Sequence, residues 1–177
     1  AGTLIAAPAA FTWWTALLAI LGAVLFLAGT NFVNDYYDYR KGSDGPGALG
    51  PPGAIQQGVL SPLQVLAAGA ACFAAGAAIG VVLCAAVSWQ LLWVGGAGLL
   101  AGFLYTGWPL HLAYRALGEA VVFAFMGPAV VMGAAFVQAE AWTREAFAAS
   151  LPLGFLAAAI LQANNLRDLD HDRAVGK

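Results

Sequence analysis

The chain reads as long apolar stretches broken by short polar ones. From Ala1 to Asn34 no residue carries a formal charge, and none does between positions 45 and 114. Apolar positions within these stretches run on without the every-second-residue alternation of a barrel strand. A helix that crosses a bilayer needs roughly 20 mostly apolar residues, and backbone groups in lipid must be satisfied within the segment itself. The pattern therefore predicts an all-α fold, a polytopic transmembrane helix bundle. Five spans follow: about Phe11 to Val33, Pro62 to Val87, Gln90 to Gly107, Gly118 to Gln138 and Ala146 to Asn165, with Ala1 to Pro8 as the end of an earlier one.

The interruptions are as informative as the runs. Ser61-Pro62 suits a helix start, because Ser caps and Pro tolerates the first helical position. Before it, "GSDGPGALGPPGAIQQGVL" is dense in Gly and Pro and predicts a long loop, of the kind that is commonly functional. Gly76 and Gly80, then Gly98 and Gly102, have the small-xxx-small spacing of closely packed membrane helices. Trp13, Trp14, Trp89, Trp108 and Trp142 fall near span ends, where an aromatic belt belongs.

Counting crossings brings distant segments together. If the first span delivers Asp35 to one membrane face, the third delivers "GWPLHLAYRALGE" and the fifth delivers "NNLRDLDHDRAVGK" to that same face. This face collects Arg40, Lys41, Arg115, Arg167, Arg173 and Lys177, while the other has Arg144. By the positive-inside rule it is cytoplasmic, and an integral protein of a bacterial inner membrane is expected.

Composition agrees with a membrane protein. Of 177 residues 62% are hydrophobic and 9% charged, and mean hydropathy is +0.80, against about 25% charged residues in soluble domains. A net charge of −2 gives no reason to expect a nucleic-acid partner. Cys72 and Cys84 lack metal-ligand spacing and read as packing residues. The chain begins at Ala and ends at Lys177, directly after an acidic cluster, so one transmembrane domain over 1–177, truncated at both ends, is expected.

Charge placement points to chemistry. Six of the nine acids form two clusters, Asp35, Asp38 and Asp44, then Asp168, Asp170 and Asp172. A helix continuing past Val33 presents Asn34, Asp35 and Asp38 on one side, and Asn165, Asp168 and Asp172 repeat the spacing. Carboxylates so close together repel one another and are costly near hydrocarbon, so a cation belongs between them. Magnesium takes oxygen ligands and binds one or two carboxylates together with substrate phosphates. Lys41, Arg115, Arg167, Arg173 and Lys177 stand ready for the remaining phosphate oxygens. A polyprenyl diphosphate combines such a phosphate end with a tail that lies among apolar helices. Tyr36, Tyr37, Phe103, Tyr105, Phe123 and Phe125 could line its cavity, although aromatics in a helix bundle are more often plain packing.

"NDYYDYRKGSD" (34–44) and "DLDHD" (168–172) resemble the paired aspartate-rich motifs of the UbiA superfamily of intramembrane prenyltransferases. "YTGWPLHLAYRALGEAVVFAFMGP" (105–128) and "NNLRDLDHDRAVGK" (164–177) are similar to its branch acting on 1,4-dihydroxy-2-naphthoate in menaquinone biosynthesis. The resemblance covers essentially the whole chain. It implies a fold of about nine spans, five of them here, and magnesium-dependent transfer of a polyprenyl group to that aromatic acceptor. Asp35 and Asp38 would be catalytic and hold one magnesium, and Asp168 and Asp172 the second. Asn34 and Asn165 would orient ligands or substrate. Lys41, Arg115, Arg167 and Lys177 would steady the diphosphate, with Tyr114 beside them. The chain departs from the family at Gly53, where Arg is usual, and at Trp108 and His111.

Other functional classes share some of these features. Another acceptor such as 4-hydroxybenzoate keeps the same clamp, and a non-catalytic homologue is kept open by Gly53. An ion-coupled transporter expects its acids near the midplane rather than at one surface. Glu119 reads as a carboxylate favoured by a helix N-terminus, with Arg115 as a conceivable partner.

Overall fold

The computed structural model describes residues 11–42, 53–115, 117–170 and 173. Five helices account for most of them: α1 (Trp13–Lys41), α2 (Pro62–Ala86), α3 (Leu91–Leu104), α4 (Gly118–Ala139) and α5 (Arg144–Arg167). A short 3-10 turn, Leu112–Arg115, precedes α4.

Helix α1 continues past its apolar run, as the spacing of Asn34, Asp35 and Asp38 requires. It stops where Gly42 adopts φ 77° and returns its N–H to the carbonyls of Asp38 and Tyr39, the left-handed ending that glycine favours. Helix α2 starts as read from sequence. The Ser61 hydroxyl accepts from the Gln64 N–H at 3.4 Å, Gln64 Oε1 accepts from the Ser61 N–H at 2.8 Å, and Pro62 follows. Ser61→Ala is expected to cost about 1 kcal/mol, read as a lower midpoint of thermal unfolding in detergent; an unchanged midpoint would show that Gln64 and Pro62 suffice.

The third predicted span is shorter than expected. Four helices, α1, α2, α4 and α5, are long and apolar enough to cross a membrane. Helix α3 has 14 residues, about 21 Å at ~1.5 Å per residue, less than the roughly 30 Å of a hydrocarbon core. The chain leaves the helix at Tyr105, and Gly107 bonds back to the Phe103 carbonyl at 2.9 Å. A Cβ at Gly107 would overlap that carbonyl, so the turn depends on glycine.

Helix α4 contains one wide turn, Phe125–Ala129, built around Pro128. Proline has no N–H for the ordinary helical bond, and the chain accommodates it with a π-type turn. Here α4 meets α5 closely: a Cβ on Gly127 would stand 2.6 Å from the Gly154 Cα. Among the glycines singled out from spacing, Gly76 fits against Phe26 and Gly102 against Thr30 and Phe73, whereas Gly80 faces open space and Gly98 has only a loose contact with Phe26.

The packed centre includes Val33, Val65, Phe136 and Ser150, all fully buried, while Leu17, Ile20, Val24 and Leu27 leave an apolar outer face along α1. The ends of the bundle group segments as the crossing count expects. At one end Gln138 Oε1 accepts from the Thr12 N–H at 2.8 Å, and Trp142 Nε1 donates to Gln90 Oε1 at 2.8 Å. At the other end lie Asp38, Tyr114, Glu119 and Asn165.

Candidate functional site

The first acidic cluster is built by the last two turns of α1. Asp38 is 5% exposed and its Oδ1 accepts from the Tyr114 hydroxyl at 2.7 Å. A charge-assisted bond of this kind is among the stronger ones. Lys41, one turn further along, holds its Nζ 3.4 Å from the centroid of the Tyr114 ring. Cation, aromatic face and carboxylate are thus joined in sequence. His111 packs edge-on to Tyr37 and Tyr114, with centroids at 6.2 and 6.4 Å, and Tyr36 packs edge-on to Tyr37.

Asp35 faces the turn that leads into α2. Its carboxylate accepts the Ala54 N–H, and a Cβ at Gly53 would overlap its Oδ1. Gly53, noted as the departure from an expected Arg, therefore sits where the chain runs directly against the first acidic residue. Beyond it the turn closes on itself, with the N–H groups of Val59 and Leu60 both donating to the Ala54 carbonyl. Arg40 lies along the opposite side of α1, donating to the Tyr36 hydroxyl at 3.2 Å.

Asn34 supplies the most telling atom. Its Oδ1 is buried and has no hydrogen-bond partner among the described residues, and leaving a buried acceptor unmatched costs about 1–3 kcal/mol. Asp35 follows it directly and Asp38 lies one turn further along α1, three oxygen-bearing side chains of the type a hard cation such as magnesium takes. Among the described residues no group of three or more His, Cys, Asp or Glu side chains is gathered around one point.

The second cluster begins at the end of α5. Asn165 donates its Nδ2 to Glu119 Oε1 at 2.8 Å. Asp168 is gripped by its neighbour Arg167, whose Nε and Nη2 lie 2.8 and 2.6 Å from the two carboxylate oxygens. Arg167 is exposed and Asp168 half-buried, so the pair contributes little to stability, but it keeps a guanidinium at the cluster. Asp172 and Lys177, and also Asp44, lie outside the described residues. Arg115 is exposed and Asp170 is exposed.

Sequence reasoning missed the partner of Glu119. The residue stands in the first turn of α4, as read from the sequence, and its carboxylate also takes the amide of Asn165, while it makes no ion pair with Arg115 among the described residues. A usable signal was present, since Glu119 follows Tyr114 in the connection already assigned to the acidic face. Tyr105, in the turn after α3, lies between the clusters: burial first, then the charges of Glu119 and Asp38, push its phenol up to about 12. It remains a protonated donor at any physiological pH.

The aromatics expected to line a cavity divide. Phe123 packs on Phe155, with centroids at 4.8 Å. Phe125 helps line an apolar cleft of about 380 Å³ with Trp93, Pro128, Met132 and Trp142, apart from the acidic groups.

Known proteins resemble the chain along its whole length. A family model described as the UbiA prenyltransferase family matches residues 1–177. A 1,4-dihydroxy-2-naphthoate octaprenyltransferase of Bacillus subtilis is 34% identical over 161 residues, 90% of this chain and 52% of that protein. Proteins of the same name from Mycobacterium tuberculosis and Escherichia coli are 36% and 33% identical, covering 95% of this chain and 57% and 59% of their own lengths. The chain thus spans little more than half the length of these curated relatives. No solved structure matches it.

Proposed function

Because the chain belongs to the UbiA prenyltransferase family, we propose that it is part of a transmembrane enzyme moving a polyprenyl group from its diphosphate to an aromatic quinone precursor. The acceptor is 1,4-dihydroxy-2-naphthoate, which the names of the relatives support. The observation that carries the reading is the buried Asp38 held by Tyr114, with the unmatched Asn34 oxygen one turn earlier on the same helix, at the end of an apolar span.

Asp35 and Asp38 with Asn34, and Asp168 and Asp172 with Asn165, would hold magnesium, which supplies charge neutralisation for a departing diphosphate. Lys41 and Arg167 stand at the two clusters, and with Arg115 and Lys177 they bind diphosphate oxygens. The allylic carbon–oxygen bond breaks, the electron pair leaves on diphosphate, and an electron-rich ring carbon attacks the allylic cation. The carboxyl group of the acceptor is lost as CO2 as aromaticity returns, giving demethylmenaquinol, the reduced form of demethylmenaquinone. Tyr37 packs on His111 and His111 on Tyr114, the partner of Asp38, and these rings limit water around the cation. Basic residues gathered at this end support a cytoplasmic orientation in a bacterial inner membrane.

Membranes carrying the complete protein should form prenylated naphthoquinol from a polyprenyl diphosphate and 1,4-dihydroxy-2-naphthoate, and lose that activity when magnesium is chelated. Product with 4-hydroxybenzoate alone would change the acceptor. No product with either would overturn the proposal in favour of a non-catalytic homologue.

A further inference from the structure

We propose that Glu119 is a positioning residue for the second acidic cluster, and that the connection bearing Tyr114 and Glu119 sets the separation of the two clusters. The inference rests on the function proposed above. Its basis is a juxtaposition: one connection grips Asp38 through Tyr114 and, five residues later, Asn165 through Glu119, at 2.7 and 2.8 Å.

The chemistry of the second contact is directional. An ionised carboxylate only accepts hydrogen bonds, whereas a side-chain amide has a donor end and an acceptor end. Glu119 therefore fixes which way Asn165 is turned: its NH2 faces Glu119, and its carbonyl oxygen is left for a cation. With a neutral amide at position 119 either orientation of Asn165 would be satisfied, and half the orientations would present NH2 to the cation.

A merely structural contact would not need a charge. A carboxylate close to hydrocarbon is costly unless paired, yet among the described residues Glu119 makes no ion pair. The negative charge is retained where it orients a single amide at the start of the acidic segment. Groups that orient metal ligands in this way typically contribute tenfold or more to metal affinity or activity. Tyr114 makes the corresponding contact at the first cluster, donating to Asp38 Oδ1.

The test uses the complete protein in detergent, with manganese as a spectroscopic substitute for magnesium and an unreactive prenyl thiodiphosphate present. Free manganese is followed by electron paramagnetic resonance, and prenyl transfer is measured in parallel. Glu119→Gln should raise the half-saturating manganese concentration about tenfold or more with no change in thermal unfolding. Asn165→Asp alone should also weaken binding, because two carboxylates then face each other. The exchange of both, Glu119→Gln with Asn165→Asp, should recover binding towards the original protein, since donor and acceptor have traded places and an oxygen again faces the cation. Unchanged binding in Glu119→Gln, or an exchange no better than its singles, would overturn the positioning role. An original protein that binds no manganese and transfers no prenyl group would instead remove the proposed function on which the inference stands.

Discussion

Asp38→Asn in the complete protein is expected to lower prenyl transfer by about three orders of magnitude while the helices stay folded. Asn is nearly the same shape, and its amide oxygen can still accept from the Tyr114 hydroxyl that now meets Asp38 at 2.7 Å. What disappears is the negative charge at a site 5% exposed to solvent, where no water replaces it. With the amide oxygen on Tyr114, an NH2 takes the place of the second carboxylate oxygen, which under the proposed function meets the cation. A lost cation ligand removes several kcal/mol of charge stabilisation, and each ~1.4 kcal/mol is tenfold in rate. Turnover and thermal unfolding measured on the same preparation separate the two effects. Activity within tenfold of the original would show that Asp38 is a packing partner of Tyr114 and nothing more.

The largest stability effect is expected away from the acids, at the crossing of α4 and α5. In Gly127→Val the new Cβ would lie 2.6 Å from the Gly154 Cα and 2.8 Å from both the Gly154 nitrogen and the Ser150 oxygen. All three are backbone atoms, so no side chain can swing aside and the helices must separate. Overpacking of this kind typically costs about 1–3 kcal/mol, and a backbone clash belongs at the upper end. Because α4 bears Glu119 and α5 bears Asn165, their separation should also break that hydrogen bond. Gly95→Ala is the matched control, since nothing lies within 4 Å of its added Cβ; it should be neutral or slightly stabilising through helix propensity. Equal unfolding midpoints for both variants would contradict the packing described for Gly127.

Much of this was legible in the chain because it depends on local rules. Spacing carried α1 past Val33 through Asn34, Asp35 and Asp38, and Ser61-Pro62 marked the start of α2 through capping chemistry. The paired acidic motifs pointed to the same family whose model matches residues 1–177. What escaped depends on contacts between distant segments. Nothing in the spacing of Gly76, Gly80, Gly98 and Gly102 tells which of them faces a neighbouring ring, and only Gly76 and Gly102 do so closely. Apolar composition alone carried the third span to Gly107, but a tight turn closed on Gly107 ends α3 three residues earlier. Gly53 read as a missing cation, whereas its position against Asp35 is a steric matter visible only once the turn from Ala54 to Leu60 is folded. Glu119 was hidden for the same reason, since its partner Asn165 is 46 residues away.

The central claim is that two acidic segments far apart in sequence form one magnesium-dependent diphosphate clamp. Equilibrium binding of an unreactive polyprenyl thiodiphosphate to the complete protein, with Asp38→Asn and Asp168→Asn compared separately, tests it most directly. Binding to the original protein that requires magnesium and is lost in each single variant is the predicted result. Either variant binding the analogue as tightly as the original, at the same magnesium concentration, would contradict it.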